Sequence, residues 1–276
     1  MAKAPLTKDL VDDASLWRLS LLIGDGAVDV LAHKIVGDAP IVSARLPFDP
    51  AASSTAAAVE EVIYANPLLL APFGKTDIVV RTRRFFILPP EVAGDPDAVE
   101  SLCEIFPPGD GQFTPYVSAL DSRNAVVFLL DKGVANFLAR TYDSSAPRHV
   151  LSALGQYFTH KSRLGNSSKM YVNLDGASLD ILVYDNIGLV AANTIEAPTA
   201  ENAAYFILAI GRTAGLDPQT SELMIAGDSD RRSSLTPMLR RFINYVMPAI
   251  FPSAAYHGDP NALKASFPLV ILPLCE

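Results

Sequence analysis

The chain has 276 residues, of which 50% are hydrophobic and 19% are charged, so it is too apolar to remain disordered. Its 22 Lys and Arg against 30 Asp and Glu give a net charge of −8, which argues against nucleic-acid binding, because phosphates are neutralised by clustered basic residues. The length is typical of one large domain or two of ordinary size.

The first half of the chain predicts alternating strands and helices. Residues 17–23 and 28–35 form a hairpin in this interpretation, because Asp25-Gly26 is a turn signal in which glycine adopts positive φ without steric cost. The other predicted elements are strands at 41–48, 77–83, 85–88, 116–120 and 125–130 and helices at 55–64, 96–106, 133–142 and 149–160. The expected N-caps are Ser53, Ser54 or Thr55 for the first helix and Asp95 for the second.

A polar segment at residues 161–168 lacks periodicity, so it is predicted to link an N-terminal half, 1–160, to a C-terminal half, 169–276. Beyond it the opening pattern returns. The predicted strands are 169–174, 178–184, 188–195 and 221–226, and the predicted helices are 200–214, 234–246 and a short closing one that begins in 262–267. Thr199 and Gly215 are the expected N-cap and C-terminal stop of helix 200–214.

The two halves share an order of elements: three strands, a helix and a further strand. The turn between the first two strands is Asp25-Gly26-Ala27 in one half and Asp175-Gly176-Ala177 in the other, and residues 28–31 match 179–182 with a one-residue shift. We expect an internal duplication, in which Gly26 and Gly176 occupy equivalent positions with positive φ; the alternative is two unrelated hairpins.

This layout resembles the actin-like ATPase superfamily, in which both halves are ribonuclease-H-like. Segments 193–195, 202–217 and 225–227, with 19–21 before the first turn and 171–173 opening the second half, are similar to an uncharacterised bacterial family of actin-like fold. The resemblance covers residues 17–251. It implies an α/β chain with mixed sheets, built from two ribonuclease-H-like halves in an actin-like ATPase fold.

The resemblance also implies where a nucleotide site would lie. In active members of the superfamily, each half supplies an Asp-x-Gly-Thr/Ser turn whose backbone N–H groups hold phosphates and whose Asp orients Mg²⁺. In this chain, Asp25 and Gly26 are adjacent and are followed by Ala27 instead of a hydroxyl residue. The first phosphate turn is therefore expected to be lost.

The second half departs from the pattern in the same way. Asn173 stands where the metal-orienting Asp belongs, and Asp175 stands where a Gly is expected. The Gly-Gly turn that holds adenosine is reduced to Gly227, followed by Asp228. Because carboxylates repel a triphosphate, these departures predict that nucleotide binding is disfavoured.

No other group of residues in the sequence indicates a catalytic, cofactor-binding or metal-binding site. The chain has no P-loop, no Gly-x-Gly-x-x-Gly run and no Gly-x-Ser-x-Gly elbow. The histidines lack metal-ligand spacing, although two of them share one face of the predicted helix 149–160: His33, His149, His160 and His257. The remaining charged groups are interpreted as a solvated loop (Asp228, Asp230, Arg231, Arg232) and as exposed strand and helix faces (Arg81, Arg83, Arg84, Arg240, Arg241). We therefore expect no catalytic, cofactor-binding or metal-binding residue and no cofactor.

The sequence also predicts the cellular compartment and the redox state of the two cysteines. Cys103 and Cys275 are read as two reduced thiols, with a disulfide as the alternative. The first residues lack an apolar signal core, and the uncharged stretches 62–74 and 242–258 are too short and too polar to span a membrane. A cytoplasmic location and no membrane partner are expected.

Three functional hypotheses remain. The first is a non-enzymatic protein-interaction or scaffold protein with an unknown protein partner. The second is an ATP-dependent enzyme, an ATPase or sugar-kinase-like phosphotransferase, with a diverged cleft; the third is an assembly protein. For the first, the partner surface is expected to include residues 242–258, with core as the favoured alternative for this apolar segment; its side chains are Phe242, Tyr245, Met247, Ile250, Phe251 and Tyr256.

Overall fold

The computed structural model describes residues 5–37, 39–106, 112–142, 145–252, 256 and 259–275. The chain divides into two compact units. Unit 1 consists of residues 1–118, 125–149 and 252–265, and unit 2 of 119–124, 150–251 and 266–276. The main boundary between the units thus falls between His149 and Val150 and does not coincide with the predicted linker at 161–168, and the expected halves stay a prediction.

Unit 1 contains most of the elements predicted for the first half. In chain order they are β1 (Trp17–Ile23), β2 (Ala27–Lys34), β3 (Val42–Pro47), α1 (Thr55–Tyr64), β4 (Lys75–Val80), β5 (Phe85–Leu88), α2 (Pro90–Ala93), α3 (Pro96–Cys103), β6 (Phe113–Ala119), β7 (Ala125–Asp131), α4 (Lys132–Thr141) and β8 (Arg148–His149). Short 3₁₀ helices lie at Lys8–Leu10, Ala14–Leu16 and Pro67–Leu70.

A five-stranded mixed sheet of order β3-β2-β1-β4-β8 organises unit 1. Strand β2 runs antiparallel to both β1 and β3, whereas β4 runs parallel to both β1 and β8. All seven residues of β1 are buried, which is typical of a central strand covered on both faces. A separate three-stranded sheet has the order β5-β7-β6.

Unit 2 contains the elements of the second half together with the helix before it. They are α5 (Val150–Ser162), β9 (Lys169–Asp175), β10 (Ser178–Tyr184), β11 (Leu189–Glu196), α6 (Ala200–Thr213), β12 (Glu222–Gly227), α7 (Ser229–Leu239), β13 (Tyr245–Pro248) and α8 (Phe267–Ile271), with a 3₁₀ helix at Leu272–Leu274. A further 3₁₀ helix, Ala262–Lys264, belongs to unit 1. Its sheet, β11-β10-β9-β12-β13, repeats the strand order and strand directions of the large sheet of unit 1. The five-stranded sheets of the two units therefore share the same topology.

The core of unit 2 lies between its sheet and the helices α6 and α7. Inward-facing residues of β9, β10 and β12 pack there against α6 and α7, as Val172, Ile181, Ile225, Ile207 and Leu235 illustrate. The other face of the sheet carries α5, which contacts β10 and β11. Strands β9 and β12 end at Asp175 and Gly227, at the turns described below.

Several helix ends were predictable from local sequence. Ser54, Asp95 and Thr199 accept backbone N–H bonds as the N-caps of α1, α3 and α6, and Gly215, with φ of +73°, follows the end of α6. These predictions are confirmed. The reason is that a capping oxygen satisfies N–H groups within one helical turn, so that no distant contact is required.

Other predictions were wrong at the level of single elements. The helix expected at 234–246 is instead α7, which begins at Ser229, followed by the strand β13. Val246 is buried in the core while Tyr245 and Met247 are exposed, so this short run follows the period of a strand rather than a helix. His149 lies in β8, outside the helix that starts at Val150; the two histidines therefore share no helix face.

Candidate functional site

The hairpin turn of unit 1 is closed by its own backbone. Gly24 N–H donates to the carbonyl of Ala27 at 3.0 Å, so Asp25 and Gly26 are the two turn residues. Gly26 is not among the glycines with positive φ, and a Cβ added to it would meet no atom within 4 Å. The expectation of positive φ at Gly26 is therefore wrong.

Two arginines lie beside this turn. The Arg83 guanidinium donates to the Asp25 carboxylate at 2.6 Å in a half-exposed ion pair. Arg81 is buried, and its Nη1 lies 3.5 Å from the position that a Cβ on Gly24 would occupy. The expectation that Arg81 decorates an exposed strand is corrected: its side chain occupies the space against the turn.

In unit 2, when the Asp-Gly dipeptides of the two hairpins are aligned, the turn begins one residue later than in unit 1. Asp175 pairs with Ser178, so Gly176 and Ala177 are the turn residues, and Gly176 has φ of +54° as expected. The backbone pairing thus makes Asp175 the counterpart of Gly24. The shared Asp-Gly dipeptide is offset by one position between the two hairpins.

Asn173 takes part in a buried polar network through its Nδ2, while its Oδ1 is buried without a hydrogen-bond partner among the described residues. Its Nδ2 donates to Asp180 Oδ2 at 2.9 Å, and Thr194 Oγ1 donates to Asp180 Oδ1 at 3.0 Å. All three residues are at least nine-tenths buried. The Asn173 amide, which the resemblance matches to a metal-orienting Asp, is therefore bonded to a carboxylate on the neighbouring strand.

The end of β12 makes an unusually close approach to β9. Gly227 has φ of +89°, and a Cβ there would overlap the backbone of Leu174. The next residue, Asp228, donates its N–H to the carbonyl of Leu174 at 2.9 Å. Its carboxylate caps α7 by accepting from the N–H groups of Asp230 and Arg231 at 2.9 and 3.0 Å.

Arg231 then ties the same region together. Its guanidinium donates to the carbonyls of Gly176 and Ala197, with a longer contact of 3.5 Å to Ser178. Burial lowers the pKa of Arg231, and the nearby carboxylates of Asp228 and Asp175 oppose that shift. Asp228 and Asp230 are exposed, as expected of a solvated segment. The loop interpretation was wrong from Ser229 onwards, because these residues form α7 and Arg231 donates to carbonyls in the turn before β10 and directly after β11.

Sequence reasoning missed Arg231, and no local signal could have found it. A run of charged residues after a strand usually faces water. The acceptors of Arg231 are backbone carbonyls 34 to 55 residues away, which carry no residue-type signature. Only the folded chain brings them within reach.

No metal centre is present in the part of the chain that the structure describes, since no three His, Cys, Asp or Glu residues come together there. His149 is buried with Nε2 2.9 Å from the carbonyl oxygen of Thr82, and His160 is exposed. His257 lies outside the described residues. No disulfide joins Cys103 to Cys275.

Four large apolar side chains of the predicted partner segment are exposed. We call Phe242, Tyr245, Met247 and Ile250 the β13 surface; their exposed fractions are 56%, 52%, 39% and 81%. Tyr256 is buried, and residues 253–255 and 257–258 of the predicted segment lie outside the described residues.

Two features oppose the pairing of a further strand with β13, the edge strand of this sheet. Pro248 has no N–H, and Arg240 Nη2 already donates to the carbonyl of Val246 at 3.2 Å. Both devices are typical of edge strands protected from further pairing. Contacts at the β13 surface would therefore be made by side chains.

Across the described residues, no helix is both long enough and apolar enough to cross a membrane.

Comparison with known proteins places the chain in a family. A family model described as "Protein of unknown function (DUF3822)" matches residues 10–246, so the chain belongs to that family. No curated protein matches the sequence. Family membership therefore brings no activity with it.

Solved structures identify the fold. A protein from Bacteroides thetaiotaomicron VPI-5482, described as having an actin-like ATPase fold and unknown function, is 22% identical, with a TM-score of 0.75 over 86% of this chain and 91% of that one. A PilM-PilN type IV pilus biogenesis complex is 13% identical, with a TM-score of 0.52 over 94% of this chain and 96% of that one. The chain thus has the actin-like ATPase fold, with two sheet-bearing halves, as its sequence predicted.

Proposed function

We propose that this member of the DUF3822 family is a non-enzymatic protein-interaction or scaffold protein, which uses an actin-like fold without nucleotide turnover. Its partner is a protein, and it acts in the bacterial cytoplasm. We attribute the shared sheet topology of the two units to an internal duplication.

The observation that carries the proposal is the internal use of the polar groups at the turns of unit 2. Asp228 caps a helix, Asn173 is bonded to Asp180, and Arg231 occupies the carbonyls of Gly176 and Ala197. A magnesium nucleotide needs backbone N–H donors for phosphate and a carboxylate for the metal's water shell. The engagement of these groups within the chain itself supports a fold that does not turn over nucleotide.

Protein binding is supported by a second observation. The β13 surface exposes four large apolar side chains that no other described part of the chain covers. Large apolar side chains left exposed close together in the sequence favour contact with another protein. One protein of similar fold is described as part of a complex with another protein, PilM with PilN, which supports the same class of function.

Isothermal titration and thermal unfolding with Mg-ATP test the non-enzymatic part. We expect no saturable binding and no shift in stability, whereas a ligand at 100 times its Kd would stabilise the chain by about 2.7 kcal/mol. Micromolar binding, or phosphate release that Asp25→Ala abolishes, would favour the alternative of an ATP-dependent enzyme such as an ATPase or sugar-kinase-like phosphotransferase.

A matched pair of variants tests the protein-binding part. Tyr245→Asp places a charge on the β13 surface, and Tyr205→Asp places one on the exposed side of α6, where the tyrosine is 68% exposed. Proteins co-purified from native cells are compared quantitatively. We expect a specific set to be lost with Tyr245→Asp and retained with Tyr205→Asp; identical sets for both variants would count against this surface.

A further inference from the structure

Unit 2 contains an apolar pocket at the end of the sheet opposite the turns. It lies between the C-terminal part of α6 and the first residues of β9 and β12, and its volume is about 340 Å³. Its apolar walls are formed by Met170, Ile207, Leu208, Leu216, Leu223 and Ile243. We call this cavity the α6 pocket. Its size falls at the lower end of the range of about 300–1,000 Å³ that is usual for small-molecule sites.

Two charged residues at the α6 pocket, Asp217 and Glu222, already have polar partners. Asp217 accepts hydrogen bonds from Gln219 N–H and Thr220 Oγ1, both at 2.9 Å, which lower the pKa of Asp217. Glu222 accepts from Ser167 Oγ at 2.5 Å and lies 3.6 Å from Lys169 Nζ. Both carboxylates are thus already compensated by groups of their own unit.

Arg212 differs from these two carboxylates. It lines the pocket from the last turn of α6, and no hydrogen bond or ion pair of its guanidinium is found among the described residues. An arginine without a partner beside an apolar cavity matches a ligand that has an apolar body and an anionic head.

A helical glycine borders the same cavity. Gly211 is buried in α6, where glycine costs about 1 kcal/mol relative to alanine. A Cβ at this position would lie 3.3 Å from Met170 Cε and 3.7 Å from Leu216 Cδ1, two pocket-lining side chains. The glycine therefore leaves these side chains room that a larger residue would take from the pocket.

We propose that the α6 pocket binds a medium-chain carboxylate, with the alkyl chain among the apolar walls and the carboxylate paired with Arg212. The walls supply the hydrophobic contribution to binding, and the guanidinium selects the charge of the head group. The site does not depend on the proposed function, because it lies at the other end of the sheet from the turns.

Decanoate is the probe, with decanol and decyltrimethylammonium as head-group controls and acetate as a chain control. Binding to the full chain is measured by isothermal titration and thermal unfolding below the concentration at which micelles form. We expect saturable binding of decanoate that exceeds that of the other three. No saturable binding of decanoate, or equal binding of decanol, would overturn the proposal.

Variants localise the site. Arg212→Gln is expected to weaken decanoate binding about tenfold and to leave decanol unchanged, while Arg163→Gln, which removes the same charge from an exposed loop, has no effect. Leu208→Trp is expected to abolish binding by filling the cavity, with folding checked by circular dichroism. If Arg212→Gln and Arg163→Gln bind decanoate equally, the site is wrong, whatever the outcome with Leu208→Trp.

Discussion

Arg81 and Asp228 occupy equivalent positions in the two sheets and carry opposite charges. Arg81 N–H donates to the carbonyl of Ile23, and Asp228 N–H donates to the carbonyl of Leu174, each at 2.9 Å. Arg81 is buried against the turn of unit 1, whereas Asp228 caps a helix in unit 2. One backbone arrangement therefore accommodates side chains of opposite charge at two corresponding positions.

The two turn glycines differ in backbone conformation and should respond differently to alanine. Gly176→Ala is expected to lower the free energy of unfolding by about 1 kcal/mol, because φ of +54° is unfavourable for a side chain. Gly26→Ala is the matched control and should be neutral or slightly stabilising, since it has neither positive φ nor a close neighbour. Urea denaturation measures both; equal effects would contradict the offset between the hairpins.

A side chain is tolerated less well at Gly227 than at Gly26 or Gly176. A Cβ there would overlap the carbonyl of Leu174 on the neighbouring central strand, in addition to the strain of φ at +89°. Backbone atoms of a central strand cannot move aside without breaking their own pairing. Gly227→Ala should therefore destabilise the chain by about 3 kcal/mol or more. A loss no larger than that of Gly176→Ala would show that the close approach is not maintained in solution.

Arg231 is expected to contribute to stability through its carbonyl acceptors. Arg231→Met keeps the apolar stem but removes the donors to Gly176 and Ala197, at an expected cost of about 2 kcal/mol. Arg232→Met is the control, because no side-chain hydrogen bond of Arg232 is found among the described residues, and it should be nearly neutral. If both variants unfold at the same denaturant concentration, Arg231 does not tie the turn to its neighbours.

The buried network around Asp180 should show coupled energetics. Asp180→Ala leaves the Asn173 amide and the Thr194 hydroxyl buried without their acceptor, and is expected to cost about 3 kcal/mol. Asp180→Asn retains one acceptor and should cost about 1 kcal/mol. In a double-mutant cycle with Thr194→Val, we expect a coupling of about 1 kcal/mol; strictly additive effects would count against the network.

His33 is expected to make stability depend on pH. Burial lowers its pKa below 6.5, with a further lowering from Arg18, while the Lys34 carbonyl and Asp77 oppose the shift. Its Nδ1 lies 2.9 Å from the carbonyl oxygen of Lys34, its Nε2 is buried without a hydrogen-bond partner among the described residues, and the Tyr256 ring packs edge-on at 5.5 Å.

The sign follows from the lowered pKa. Just below pH 6.5 the unfolded histidine binds a proton that the folded one does not, so unfolding takes up a proton and stability falls as the pH is lowered through the folded pKa. Denaturation from about pH 7 to about pH 5 should show a steeper loss in the native chain than in His33→Gln. His160→Gln, at an exposed site, should retain the native slope.

Local sequence determined much of the secondary structure. The caps Asp95 and Thr199 and the stop at Gly215 act within one turn of the helices they end, so residue type and spacing were enough to place them. For the first helix the sequence offered Ser53, Ser54 or Thr55, and the structure selects Ser54. The order of strands and helices, with the resemblance it supports, was sufficient to predict the actin-like fold.

Only the tertiary structure decided which groups meet at the turns. The offset between the hairpins depends on which residues pair across the strands, and the strand at Tyr245 depends on its pairing with β12. The hydrogen bonds of Arg231 to Gly176 and Ala197 span 55 and 34 residues and end on backbone carbonyls, which look alike in any sequence. Short-range forces leave a pattern in the sequence, whereas contacts between distant backbone atoms exist only once the sheet has formed.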